Sequence, residues 1–320
     1  MIVNEKKLQE LAEKICNLYD IGEYSYFKQS ENGYDDLNIQ IVTSQNKYLA
    51  KVFSEEKSDA QCVSYIKAIK KSIDFGVNHP QLHEYNLESF SKICLATSSH
   101  YARVCLMNFV EGGNMLQSGS TLNEADYENL VDQVSLLHSI DLHDIISDGL
   151  WSVTNFEHIY NNKNQVLDKI ERDTITEILL MFSKIKMKSL PCKFIHGDLV
   201  KTNIIKNSED RIYIIDFSAS GYYPRIQELA VLLTNIFFDE NSVENSNNLY
   251  HSLLNKYQKH TRLTDYELTV LPLFVMAAHS INIICPIFEK VINKNSTIEN
   301  EYWINLGRKG VKMKDNLYIR

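Results

Sequence analysis

Two periods of apolar and polar alternation run along the chain, and the change from one to the other divides it. The opening "MIVNEKKLQELAEKICNLY" spaces its apolar side chains three and four apart among charges, the pattern of an amphipathic helix. Period-two runs follow: "YSYFKQS", "DLNIQIVT", "KYLAKVF", and later "KICLATS" and "ARVCLMNFV". These predict strands. Between the third and the fourth, "SDAQCVSYIKAIKKS" returns to helical spacing, and Asn32-Gly33 suits a turn between the first two. A small antiparallel sheet with one helix is expected, ending near "VEGGN", where Gly112 and Gly113 suit a connector.

Beyond Glu111 the pattern is mainly helical. "TLNEADYENLVDQVSLLHSID" places Thr121 and Glu124 at capping-box spacing, and lines Leu130, Val131, Val134 and Leu137 on one face. Ser296 and Glu299 predict a second such box, opening a late helix through Trp303. The most apolar segment, "LPLFVMAAHSINIICPIF" from Leu271, is interrupted by His279, Ser280, Asn282 and Pro286. It falls short of the roughly 20 mostly apolar residues a bilayer requires, so a buried helix is predicted. Two short strands, "CKFIHGD" and "IYIIDF", stand as neighbours within this helical half.

Composition narrows the classes. At 320 residues the chain is long for one domain and comfortable for two. It carries 44% apolar and 23% charged residues, an ordinary globular balance. The net charge of −8 leaves no basic face for nucleic acid, and no export or membrane address is visible. Six cysteines without a CxxC pair give neither zinc spacing nor a disulfide framework, which fits a reducing cytoplasm.

The chemistry concentrates in "FIHGDLVKTNII" and, about ten residues later, "IYIIDFSASG". Phosphoryl transfer from a nucleotide needs divalent cations on carboxylate or amide oxygens, a cation on the inner phosphates, and a carboxylate for the acceptor hydroxyl. Asp198, Asn203, Asp216 and Lys51 supply those functions. The separation of Asp198 and Asn203 equals that of Asp and Asn in the protein-kinase catalytic loop. Gly197 replaces that loop's Arg, and the helical run "PRIQELAVLL" follows Asp216 so soon that no long regulatory loop fits. A protein kinase is thereby disfavoured.

"HGDLVKTNII" followed by "IIDFSASG" resembles the superfamily of aminoglycoside phosphotransferases, choline kinases and homoserine kinases. "YLAKVF" is similar to its lysine strand, "MNFVEGGNM" to its hinge and "VSLLHSID" to the helix that follows. "GYDDLNIQI" resembles the corresponding segment of hydroxylysine-kinase-like members. These matches run in the family's order from about Tyr26 to Leu233. The HGDxxxxN and IDF pair is the specific part.

The resemblance implies an α+β, bilobal protein-kinase-like fold. A nucleotide-binding N-lobe with a small antiparallel sheet would span residues 1–110, and a mainly helical catalytic and substrate-binding C-lobe residues 111–320. It implies Asp198 as catalytic acid, Asn203 and Asp216 as magnesium ligands, and Lys51 on the inner phosphates. Gly33 would belong to the phosphate loop, with Met107 and Phe109 in the hinge whose backbone holds the adenine. ATP with magnesium is expected, GTP being used by some relatives.

Several residues call for separate readings. His196 is expected to tie the loop backbone, and His138 to pack. Glu228 is expected either to meet its own helix start, after Pro224 as first helical residue, or to buttress the catalytic loop as an acid does in relatives. Tyr222 and Tyr223 are candidates for a substrate mouth. "DFG" at Asp74 copies a kinase magnesium motif but precedes the catalytic loop, so a helix end capped by Gly76 is predicted.

A partner for Lys51 is missing. The next helix offers Asp59, Gln61 and Ser64, and Gln61 would not neutralise it. Asp35 and Asp36 beside Gly33 would each cost about 4 kcal/mol at 4 Å from a phosphate. They are expected to point away as a solvated turn, or else to meet a metal or a cationic substrate.

The expected reaction is nucleotide-dependent phosphorylation of a hydroxyl on a small polar, amine-bearing molecule, with an amino alcohol or amino acid leading. The alternatives are an aminoglycoside antibiotic as acceptor, and a nucleotide-binding module without turnover. Neither nucleic acid nor membrane is an expected partner, and oligomeric state is not legible.

Overall fold

The computed structural model describes residues 5–29, 36–85, 90–94, 101–147, 149 and 151–317. Helix α1 (Glu5–Tyr19) leads into strands β1 (Tyr24–Gln29), β2 (Leu37–Thr43) and β3 (Lys47–Val52). Helix α2 (Asp59–Asp74) follows, then β4 (Leu82–His83), β5 (Ser91–Cys94) and β6 (Tyr101–Asn108). The six strands form one antiparallel sheet in the order β1-β2-β3-β6-β4, with β5 on β6. The Asn32-Gly33 turn lies outside the described residues.

Alternation along the strands decides what each face of the sheet meets. Ile39, Ile41, Ala50, Val52, Val104 and Leu106 pack with Leu8, Leu11 and Ile15 of α1. The intervening positions, Lys51 on β3 with Cys105 and Met107 on β6, turn to the opposite face. There Phe53 and, from α2, Cys62, Tyr65, Ile66 and Ile69 join the main core. Lys51 thus points to the α2 side because its two neighbours point to α1. Ser58 and Gln61 form the capping box of α2, which ends at Phe75 and Gly76, so "DFG" is a helix terminus.

After Gly112 and Gly113 the chain is mainly helical: α3 (Met115–Ser118), α4 (Glu124–Ser139), α5 (Phe156–Lys163) and α6 (Lys169–Phe182). Four short strands follow, β7 (Cys192–Ile195), β8 (Ile204–Lys206), β9 (Ile212–Ile214) and β10 (Gly221–Pro224). Then come α7 (Ile226–Leu233), α8 (Val243–Tyr257), α9 (Asp265–Val291) and α10 (Ile298–Lys312). The two motif strands are not hydrogen-bonded neighbours: β7 pairs with β10 and β9 with β8. The β8–β9 hairpin lies in the chain between β7 and β10, and the loops that follow β7 and β9 bring the motif ends together. Pro224 ends β10, so the helix starts two residues later than read from the sequence.

Both anticipated capping boxes shift. Asn123 caps α4, reciprocated by Asp126, in place of Thr121 and Glu124. Asn is the stronger cap, and the shorter helix lets its side chain reach the third N–H. Thr297 caps α10, which frees Glu299 to accept from Trp303 Nε1 at 3.2 Å.

Helix α9 runs through Pro272 and Pro286, is capped by Thr264 and Glu267, and touches α5, α6, α7 and α10. It is long and apolar enough to cross a membrane by length and composition, yet most of it is buried within the helical half. Arg225 clamps it to the start of α7, with Nε and Nη2 donating to the two oxygens of Glu267 at 2.7 and 2.8 Å.

Candidate active site

Lys51 leaves β3 fully buried and reaches Asp216 Oδ1 at 2.9 Å and Asp36 Oδ2 at 3.3 Å, with the Tyr65 ring 4.8 Å away. Burial alone would lower its pKa, but the Asp216 and Asp36 carboxylates hold it well above the ordinary value. Asp36 corrects the expectation of a solvated turn. Its buried carboxylate accepts from Ser54 N–H at 3.0 Å and from Lys57 Nζ at 2.6 Å. The acid in the β1–β2 connection is therefore the partner that α2 lacks, while Gln61 is engaged in the α2 cap. Asp35 and Gly33 lie outside the described residues.

The loop after β7 is held by its own backbone. The carboxylate of Glu228, fully buried on α7, accepts from His196 N–H at 2.5 Å and Gly197 N–H at 3.2 Å. Of the two expectations for Glu228, the structure places it against the loop. Burial pushes its pKa up to about 8, against the pull of those N–H groups. His196 ties the same loop, its Nε2 to the Ile215 carbonyl at 3.0 Å and its Nδ1 accepting from Asp198 N–H at 3.3 Å.

Gly197 has φ +85, and a Cβ there would sit 2.5 Å from the Ala219 carbonyl. A side chain is excluded by backbone crowding, a reason for Gly in "HGD" beyond the lack of a loop for an Arg to serve.

Asn203 folds back on Asp198, donating from Nδ2 to its Oδ2 at 2.7 Å and its carbonyl at 2.9 Å. Asp198 Oδ1 has no protein donor among the described residues. Burial, then repulsion from Asp216, pushes its pKa up to about 7, with Glu299 of α10 adding to the rise.

Asp216 stands at φ 62, which an Asp tolerates better than most residues, and its Oδ1 also accepts from Ser218 Oγ at 2.7 Å. Burial opposes its charge, but Lys51 and Ser218 hold its pKa far below the usual carboxylate range. Its second oxygen and Asn203 Oδ1 meet no protein donor among the described residues. Two free oxygen acceptors, one charged, suit a hard divalent cation. The structure thus gathers Lys51, Asp198, Asn203 and Asp216 in one cleft between sheet and helices.

Beside the Asp198–Asn203 loop lies a cavity of about 370 Å³ walled by Met115, Tyr127, Lys201, Phe238, Asp239 and Tyr302, among others. Tyr302 is one helical turn from Glu299, so α10 runs from the neighbourhood of Asp198 to the cavity wall. At the other end of the cleft, Met107 is buried on β6. The Phe109 N–H donates to the Lys47 carbonyl at 3.1 Å. Tyr222 is exposed and lies against His143, while His138 is buried on the Tyr257 hydroxyl at 2.7 Å.

Sequence reasoning missed Asp36, the role of Gly197 and the cavity. The adjacency of Asp36 to the strand that pairs with the lysine strand was the available signal.

The profile of a family described as "Phosphotransferase enzyme family" matches residues 27–265. Comparison with curated proteins finds no match. Among solved structures, a microcompartment-associated aminopropanol kinase superposes with TM-score 0.72 at 13% identity, covering 96% of each chain. A spectinomycin phosphotransferase, solved with ADP and spectinomycin, gives 0.69 at 16% identity, covering 97% of this chain and 98% of that one. A choline kinase from Streptococcus pneumoniae gives 0.66 at 13% identity, covering 95% and 99%.

Proposed function

The chain belongs to the phosphotransferase enzyme family of small-molecule kinases, and from that premise we propose that it transfers the γ-phosphoryl group of ATP to the hydroxyl of a small, amine-bearing acceptor. The observation that carries this reading is the arrangement around Asp198: one oxygen fixed by Asn203, the other without a donor, in the cleft that holds Lys51 and Asp216.

In this reading Asp198 Oδ1 orients the acceptor hydroxyl and receives its proton, helped by a pKa pushed up to about 7. Lys51 meets the inner phosphates, and the segment from Met107 to Phe109 lies against the purine, with ATP the default and GTP the other candidate. Asn203 Oδ1 and the free oxygen of Asp216 would hold a divalent cation, magnesium by default. That cation, when bound, supplies charge neutralisation on the phosphates. Glu228 and His196 keep the loop from reorganising as the proton moves. Residues 1–110 would form the nucleotide lobe and 111–320 the catalytic and acceptor lobe, with Gly33 in the phosphate loop.

Three acids support an acceptor bearing an amine: Asp239 and Glu240 on the cavity wall, and Glu299 near Asp198. An amino alcohol or amino acid leads, with an aminoglycoside as the alternative. Binding without turnover loses its ground, since Asp36 provides the carboxylate that Lys51 lacked on α2. A cytoplasmic setting belongs to the same proposal and accords with six free cysteines.

The test is ADP release with ATP and magnesium across aminoglycosides, choline, homoserine, hydroxylysine and amino sugars, with Asp198→Ala as the blank. A product that disappears in the variant, while nucleotide binding persists, is the expected result. Transfer retained in Asp198→Ala would sink the assignment.

A further inference from the structure

Lys201 stands three positions after Asp198, and its place is fixed by its backbone N–H, which donates to Asn235 Oδ1 at 2.7 Å. Its half-buried side chain lines the cavity beside the loop. Among the described residues the Lys201 ammonium has no hydrogen-bond or ion-pair partner. The acids closest to it in charge are already engaged. Asp239 accepts from Asn241 N–H and Asn245 Nδ2, both at 2.9 Å, and Glu240 pairs with Lys309 at 3.0 Å.

A charge drawn partly out of water without a partner is unfavourable, and it becomes favourable when a ligand supplies the opposite charge. The cavity therefore carries one unmatched cation, Lys201, beside Glu240, whose charge Lys309 balances, and Asp239, whose donors are neutral and leave its charge in place. A dianion would be repelled by Asp239, and a plain amine would leave Lys201 unmatched. A molecule with one carboxylate and one ammonium answers both.

We propose that Lys201 is a specificity residue that binds the carboxylate of the acceptor, so that the acceptor is a hydroxy amino acid. Its ammonium would face Asp239 and Glu240, and its hydroxyl Asp198. This rests on reading Asp198 as the group that receives the acceptor hydroxyl.

Matched pairs test it: L-serine against ethanolamine, L-homoserine against 3-aminopropan-1-ol, and 5-hydroxylysine against its decarboxylated diamine. Ligand-observed saturation-transfer NMR gives the affinity of each, and ADP release is followed in parallel, for the unaltered enzyme, Lys201→Met and Lys201→Arg. A charge-assisted hydrogen bond of this kind is worth about tenfold or more in affinity.

At least one amino acid should bind about tenfold better than its decarboxylated partner. Lys201→Met should erase that preference through KM with little change in kcat, and Lys201→Arg should restore most of it. A preference that survives Lys201→Met, an amine preferred over its amino acid, or no binding by any member overturns the proposal. Turnover without a carboxylate preference sinks the Lys201 subsite and leaves phosphoryl transfer standing. Lys201-dependent binding of an amino acid without ADP release does the reverse.

Discussion

Replacing Asp36 by Asn isolates the charge that Lys51 meets on its sheet side. Asn keeps the shape and an oxygen for the Ser54 N–H, but removes a carboxylate 3.3 Å from Lys51 Nζ and 2.6 Å from Lys57 Nζ. At an effective dielectric near 20, a unit charge pair at that first distance is worth about 5 kcal/mol before desolvation. Losing one member of such a buried pair costs about 3 kcal/mol net. In the free protein Asp216 still holds Lys51 at 2.9 Å. With Asp216 turned to a cation, as proposed, Asp36 would be the fixed carboxylate left to aim the ammonium.

The loss should therefore fall on turnover. With about 1.4 kcal/mol per decade, Asp36→Asn should lower kcat about 100-fold with little change in nucleotide KM. ADP release at saturating ATP and magnesium reads this, and urea unfolding confirms that the variant is folded. Lys57→Met is the control: Asp36 keeps Lys51 and the Ser54 N–H, so no buried charge is left unpaired and activity should stay within about threefold. A folded Asp36→Asn enzyme with unaltered turnover would refute the argument. Equal damage from Lys57→Met would show that Asp36 acts through Lys57 instead.

Gly197→Ala should cost about 2 kcal/mol from the positive φ alone, with more from the 2.5 Å approach to the Ala219 carbonyl. Thermal unfolding should show the drop, and Gly197→Ala activity should fall more than tenfold; a variant as stable and active as the parent contradicts the crowding argument. His279 is fully buried, has no partner on either ring nitrogen among the described residues, and has its pKa pulled down to about 3 by burial. Its folded pKa lies below its unfolded one, so the stabilisation present above about pH 6.5 is lost as pH falls toward 3. The slope is about 1.4 kcal/mol per unit. His279→Leu should reduce the slope of unfolding free energy between pH 6.5 and 5 by about one proton, as read from urea midpoints; an unchanged slope refutes it.

What was legible in the sequence is what depends on near neighbours. The period-two runs gave the sheet, and the alternation around Lys51 implied its direction. The five-residue step from Asp198 to Asn203 suffices to fold the amide back on the carboxylate. Asp36 was not legible, because a charged residue beside a turn reads as solvated unless its two lysines, 15 and 21 positions on, are known to converge on it. Gly197 read as an omitted Arg, since the carbonyl that crowds it belongs to Ala219 on another loop. The caps slipped by one or two positions because several Asn, Ser and Thr residues compete for each helix start, and tertiary packing chooses among them.

The position of Asp36 bears on how such an enzyme can be regulated. In protein kinases the lysine's acid rides on a helix, and moving that helix breaks the pair and silences the enzyme. Here Asp36 sits at the edge of β2, whose Leu37 is registered against Val52 beside Lys51, so acid and lysine share one sheet. A swing of α2 would cost Lys51 the Tyr65 ring, about 1 kcal/mol, and leave both carboxylates in place. The helix that serves protein kinases as an on–off lever has little to release, and compounds that silence kinases by prising that helix outward would find no purchase.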